Sequence, residues 1–126
     1  TWDESLLLYL ERQGFSEESY HTFSYSPIAD DQGKIAGMLC VVSEDTERVI
    51  GERRLRTLRE VAASVADEVD SIRDVCVAAT SVLQRNPQDL PFLALYLVDA
   101  NETTVRRVGL VGQSDDSEVV PETSSL

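Results

Sequence analysis

Residues that commonly carry chemistry are scarce in this chain of 126 residues, which has one His, two Cys and one Trp. The single histidine, His21, has no Cys or Asp at ligand spacing, so the pattern predicts an ordinary strand residue. The common signatures of zinc, nucleotide-phosphate and serine-hydrolase sites are also missing. Adjacent carboxylates at 17–18, 30–31 and 115–116 indicate solvated turns, because neighbours along a strand point to opposite faces. We therefore expect no cofactor, no metal site and no catalytic activity.

Positive charge is the second scarcity: 11 Lys and Arg stand against 23 Asp and Glu, a formal net charge of -12. Such a chain is a poor general binder of nucleic acids or anionic membranes, since both are polyanions. A local cluster of arginines at 48, 53, 54, 56 and 59 is the exception, and we expect it to be a solvated helix face.

No apolar run approaches the roughly 20 residues that cross a bilayer. Two cysteines in separate segments are typical of free thiols, so a cytoplasmic protein is expected. The chain also opens at Thr1 without Met, and we expect a piece of a larger protein.

The first 47 residues favour a short helix and then a β-hairpin. The apolar run from Leu6 to Leu10 followed by Gly14 predicts a helix that ends near that glycine. Aromatic and β-branched residues then predict two strands, about 20–28 and 34–43, around an Asp- and Gly-containing turn at 29–33. Pro27 cannot donate a ladder hydrogen bond, so it is expected at the end of the strand or on an exposed edge.

The longest pattern is a heptad repeat of apolar residues. Its members follow the alternating spacing of three and four that is typical of a coiled coil; they are Leu55, Leu58, Ala62, Val65, Val69, Ile72, Cys76, Ala79 and Leu83. Capping and acidic residues at 43–47 predict the helix start, and Asn86-Pro87 its end. A helix of about 40 residues would be about 60 Å long. We expect this seam to pair with the same helix of a second chain, in a parallel homodimer. The alternative is an amphipathic helix that packs on its own domain.

The last third of the chain predicts a second β-hairpin. A continuous apolar run at 90–98 is typical of a buried strand, and 103–111 of its antiparallel neighbour. Residues 113–126 carry little to bury and predict a loop or a frayed end. The whole pattern is α+β: a hairpin, one long coiled-coil helix and a second hairpin.

Particular stretches resemble known sensor families. The segments EESYHTFSYSPI at 17–28, DQGKIAGM at 31–38 and VSEDTER at 42–48 resemble the C-terminal half of a PAS domain. The heptad segment resembles the signalling helix of bacterial sensor histidine kinases. DLPF at 89–92 and YLVD at 96–99 resemble the opening of a GAF domain. The resemblance implies a partial PAS-like module at 1–47, a signalling helix at 48–86 and a partial GAF-like module at 87–126. It also implies that Asp45 and Thr46 form the junction that hands a signal from sheet to helix.

The function expected on this basis is signal transduction of the two-component kind, in which the helix relays a change from one module to the other. Since both modules are incomplete, dimerisation with exchanged elements is one expected route to cover their open edges. An oligomerisation module without a sensing role is an alternative. A small enzyme that uses Cys40 or Cys76 is a third, which apolar surroundings disfavour because they raise a thiol pKa.

Overall fold

The computed structural model describes residues 1–66, 70–113 and 119–126. The chain divides into two units, Thr1–Arg53 and Arg54–Leu126. The elements follow in the order β1 (Trp2–Arg12), β2 (Phe15–Ala29), β3 (Ile35–Glu44), α1 (Thr46–Ala66), α2 (Ile72–Leu83), β4 (Leu93–Val98), β5 (Thr104–Val111) and β6 (Thr123–Ser125).

The first unit is built on an antiparallel sheet in the order β1-β2-β3. The helix predicted before Gly14 is wrong, because the Leu6–Leu10 run lies in strand β1. Gln13 and Gly14 have φ values of 54° and 90° and connect Arg12 to its partner Phe15. Positive φ at both central residues is the geometry of a two-residue hairpin turn, so the glycine closes a hairpin instead of ending a helix.

The predicted hairpin of β2 and β3 is confirmed. The Asp30 carboxylate accepts the amides of Gln32 and Lys34, both at 2.9 Å, and Gly33 has a φ of 77°. Pro27 lies beyond Ser24, where the register of β1 along β2 ends. Its missing N–H therefore falls where β2 has an open edge, as predicted.

The single long helix is wrong. Helix α1 ends at Ala66, and Asp70 and Ser71 are not helical before α2 begins. Ser71 has extended backbone angles, φ -148° and ψ 158°, and its side chain accepts the amide of Asp74. This is an N-cap, which starts a new helix. The expected stop before Pro87 is met, because α2 ends at Leu83.

The second unit has a sheet in the order β4-β5-β6. The predicted pairing of β4 with β5 is confirmed. The prediction of a loop or frayed end at 113–126 is wrong for β6, because this strand pairs with β5 through Thr104 and Ser125. Helix α2 packs on β5, since a side chain at Gly109 would come within 2.2 Å of the Thr80 hydroxyl.

The apolar core of the described residues lies in the second unit, at Val82, Val111 and Val120. In the first unit the only described buried residue is Ser19, a polar one. The large apolar side chains of its sheet therefore stay at least partly exposed. The general α+β class fits this architecture, but a hairpin–coil–hairpin does not, because each hairpin carries a third strand and the helix is divided.

Candidate functional site at the start of α1

Asp45 and Thr46, the expected signal junction, lie where β3 passes into α1. The Asp45 amide donates to the Tyr20 carbonyl at 2.8 Å, and the Asp45 carbonyl accepts the Val49 amide at 3.0 Å. The same residue therefore ends the strand ladder and begins the helix. Its carboxylate accepts the hydroxyl of Thr22 at 2.5 Å, so the side chain is bonded to the sheet.

Thr46 ties the first helical residue to the same strand. Its hydroxyl accepts the Tyr20 amide at 3.0 Å and donates to Glu44 at 3.0 Å. The Ser19 hydroxyl lies 3.3 Å from the Thr46 hydroxyl and 3.2 Å from Nδ1 of His21. Ser19 is only 2% exposed. Hydrogen bonds that water cannot readily replace hold this geometry firmly, because breaking one leaves a buried polar group unsatisfied.

A bulge in β1 adds a residue of this strand, Ser5, to the contacts at the start of α1. The register of β1 on β2 shifts between Asp3 and Leu6, and Ser5 within it has a φ of 50°. The Ser5 amide donates to the Thr22 hydroxyl and its own hydroxyl accepts from Arg48, both at 3.0 Å. We call Ser5, Ser19, Tyr20, Thr22, Asp45 and Thr46 the junction cluster.

Two ion pairs flank the junction cluster. Arg12 meets Glu44 through two contacts of 3.2 Å, and the hydrogen bond from this guanidinium, with a smaller one from Thr46, lowers the pKa of Glu44. Arg53 meets Glu18 at 2.5 and 3.2 Å, and Glu18 also accepts the Tyr20 hydroxyl at 2.7 Å. That hydrogen bond is the main cause of a raised pKa of Tyr20.

The second ion pair corrects two expectations. The sequence predicts Glu18 in a solvated turn and Arg53 on a solvated helix face, but their side chains are only 20% and 19% exposed, respectively. They lie 35 positions apart in the sequence, so no local spacing joins them. Only the tertiary arrangement of α1 and β2 reveals this contact.

The expected dimer seam is divided between two helices. Leu55, Leu58, Ala62 and Val65 lie on α1, Ile72, Cys76, Ala79 and Leu83 on α2, and Val69 is outside the described residues. Cys76, Ala79 and Leu83 flank Thr80, the residue nearest Gly109 of β5, and are half-buried. Helix α2 therefore packs on its own unit, while pairing of the seam with a second chain stays a prediction. On α1, Leu55 and Leu58 remain 47% and 65% exposed.

Next to the junction cluster is an open cleft of about 590 Å³, lined by Arg12 and residues 44–48. In the described ranges, no three His, Cys, Asp or Glu side chains group as metal ligands would. Nor do the helices of those ranges include one with the length and apolarity for a membrane crossing.

Comparison with known proteins finds no matching family model, no matching curated protein and no matching solved structure. The resemblance to PAS and GAF domains therefore rests on the residues of this chain alone.

Proposed function

We propose that this chain is a signal-relay segment of a cytoplasmic sensor protein of the histidine-kinase kind. In this proposal a PAS-like sheet passes a structural change to helix α1, and the helix passes it to a GAF-like module. No catalytic step or cofactor is part of the proposal, and a homodimer is its working form. The observation that carries it is the junction cluster, in which side chains from β1 and β2 and the end of β3 converge on the first turn of α1.

The relay follows from how the helix is anchored. Both backbone groups of Tyr20 are bonded across the junction, the carbonyl to Asp45 and the amide to Thr46. A shift of β2 relative to β3 cannot leave these bonds unchanged. Since breaking them leaves partly buried polar groups unsatisfied, the first turn of α1 follows the strand. Small shifts of this kind move packed elements between discrete arrangements.

Backbone amide exchange of α1 tests the anchoring. Thr22→Val keeps the shape of the side chain but removes the hydroxyl that donates to Asp45. We expect exchange of the Val49 amide, which is bonded to the Asp45 carbonyl, and of the amides that follow it in α1 to become about fivefold to thirtyfold faster, for a loss of about 1–2 kcal/mol. Thr103→Val, at an exposed position of the second unit, is the matched control. Equal exchange in the two variants would remove the anchoring from the proposal.

A pure oligomerisation module is the second candidate, favoured by the exposure of Leu55 and Leu58 on α1. It predicts self-association that Leu58→Asp abolishes, while variants of Thr22 or Thr46 leave the rest of α1 unaffected. Amide exchange and sedimentation equilibrium on the same variants separate the two candidates.

A further inference from the structure

A row of polar side chains connects His21 on the sheet to the first residue of α1. Nδ1 of His21 lies 3.2 Å from the Ser19 hydroxyl, which lies 3.3 Å from the Thr46 hydroxyl. The Thr46 hydroxyl lies 3.0 Å from a carboxylate oxygen of Glu44. We call His21, Ser19, Thr46 and Glu44 the polar row. Because a hydroxyl has a single proton to donate, the direction of one hydrogen bond in the row decides the direction of the next.

The carboxylate end of the polar row fixes this direction. An ionised carboxylate only accepts, so Thr46 donates its proton to Glu44, and hydrogen bonds to ionised groups are the stronger ones. Hydrogen bonds from Arg12 and, to a smaller extent, from Thr46 lower the pKa of Glu44, so the carboxylate is ionised at neutral pH. The Thr46 oxygen is then left with acceptor capacity alone. It accepts the Tyr20 amide at 3.0 Å and the hydroxyl proton of Ser19.

The burial of Ser19 determines which ring nitrogen of His21 carries a proton. Ser19 is only 2% exposed, so water has little access to its hydroxyl, and a buried polar group without a partner is costly. Since the Ser19 proton is given to Thr46, the Ser19 oxygen accepts from the ring. An uncharged histidine has a proton on one ring nitrogen and a lone pair on the other. The arrangement therefore requires the proton on Nδ1.

We propose that the polar row is a two-state switch of the junction and that the position of the His21 proton differs between its states. With Thr46 bonded to Glu44, the uncharged ring holds its proton on Nδ1. When α1 withdraws the Thr46 hydroxyl, the Ser19 proton turns to Nδ1, the other partner of that hydroxyl among the described residues. The ring then releases its Nδ1 proton to water and takes one from water at Nε2, so its charge is unchanged.

The switch supplies what the relay requires, an element with two discrete arrangements. A displacement of β2 moves Ser19 and His21, and a displacement of α1 moves Thr46, so sheet and helix bias the same equilibrium. The inference rests on the proposed function, in which a change in the sheet reaches α1. It adds His21 as a positioning residue, which acts on Thr46 through Ser19.

NMR of the ring nitrogens of His21, the single histidine of the chain, tests the direction of the polar row. The nitrogen chemical shifts of the uncharged ring, measured at a pH above its titration, show which nitrogen carries the proton. We expect the proton on Nδ1 in the unaltered chain and on Nε2 in Thr46→Val, where Ser19 has lost its acceptor. Thr46→Ser restores a hydroxyl and should keep the proton on Nδ1.

The matched control is Thr22→Val, which removes a hydroxyl that is bonded to Asp45 and lies outside the polar row. It weakens the junction by the same kind of substitution but should leave the proton on Nδ1. A switch to Nε2 in this control as well would mean that general loosening of the junction, and not the Thr46 hydroxyl, moves the proton, and the inference would be wrong.

Two other results would overturn the inference. A proton on Nε2 in the unaltered chain would mean that the polar row runs in the opposite direction, and this measurement does not depend on the stability of any variant. A proton that stays on Nδ1 in Thr46→Val would mean that Thr46 does not set it. Either result, together with faster amide exchange of α1 in Thr22→Val, removes the switch and keeps the relay. The expected ring protonation without faster exchange would overturn the proposed function and the switch with it.

Discussion

Tyr20 and Asp45 form the last rung of the β2–β3 ladder, with the Asp45 amide 2.8 Å from the Tyr20 carbonyl. The next residue, Thr46, already belongs to α1 and accepts the Tyr20 amide through its hydroxyl at 3.0 Å. Strand and helix therefore share one hydrogen-bonded residue on β2 with no intervening loop. A loop would absorb a displacement of the strand, whereas the proposed relay needs a direct connection of this kind.

Replacement of Thr46 by valine should destabilise the first unit. The variant removes the acceptor of the Tyr20 amide and the donor to Glu44, so we expect a loss of about 1–2 kcal/mol in the free energy of unfolding. Urea titration followed by circular dichroism measures it. Thr103→Val is the control and should change stability by less than about 0.5 kcal/mol. Equal losses would mean that the Thr46 hydroxyl adds nothing to the junction.

Replacement of Ser71 by alanine distinguishes two short helices from one long one by the sign of its effect. As the N-cap of α2, Ser71 should contribute about 0.5–2 kcal/mol, so Ser71→Ala destabilises the second unit. In a continuous helix the same change would stabilise, because alanine is the better helix former. Thermal unfolding of the variant against the unaltered chain gives the sign. A higher melting temperature of Ser71→Ala would contradict the N-cap and support a single continuous helix.

The sequence signals that succeeded were local ones. The Asp30–Gly33 turn, the start of α1 and the stop before Pro87 each depend on a few neighbouring residues, and the structure has all three. The signals that failed involved competition or distance. Leu6–Leu10 is compatible with helix or strand, and pairing with β2 decides for the strand. The heptad spacing continues across the Ser71 cap, because periodicity alone does not register a helix end. The cap itself was present in the sequence as Ser71 followed by Asp74.

Arg53→Met should destabilise the first unit because it leaves the Glu18 carboxylate, which is only 20% exposed, without its ion-pair partner. We expect a loss of about 1–3 kcal/mol, which chemical denaturation measures. Arg56→Met removes the same charge from an exposed position three residues along α1 and should have little effect. If both variants lose the same stability, net charge and not the contact with Glu18 is responsible.

The Arg12–Glu44 pair should make stability depend on pH in a defined direction. The hydrogen bond from Arg12 lowers the pKa of Glu44 in the folded state. Its stabilisation is therefore present above the unfolded-state pKa, roughly 4.3, and is lost as pH falls through the folded-state value. The melting temperature of the unaltered chain should exceed that of Glu44→Gln slightly at pH 7, since the pair is exposed. The two values should converge in acid.

The control for this pH dependence is Glu11→Gln, which makes the same charge change at an exposed position of β1. It should show no such convergence. A difference between Glu44→Gln and the unaltered chain that stays constant from pH 7 to about pH 2.5 would contradict the assignment, because the protonated carboxyl group no longer pairs with Arg12.

The relay itself is tested most directly by NMR of the α1 amides after a change in the sheet, with and without the junction. Phe23→Leu alters β2 at a side chain stacked on Tyr25, 6.4 Å between ring centroids. We expect it to shift the amide resonances of Thr46–Val49 in the otherwise unaltered chain, and to shift them much less in a Thr46→Val background. Thr103→Val should leave the shifts unchanged. Equal shifts in the presence and absence of the Thr46 hydroxyl, or no shifts in either, would contradict a relay through this junction.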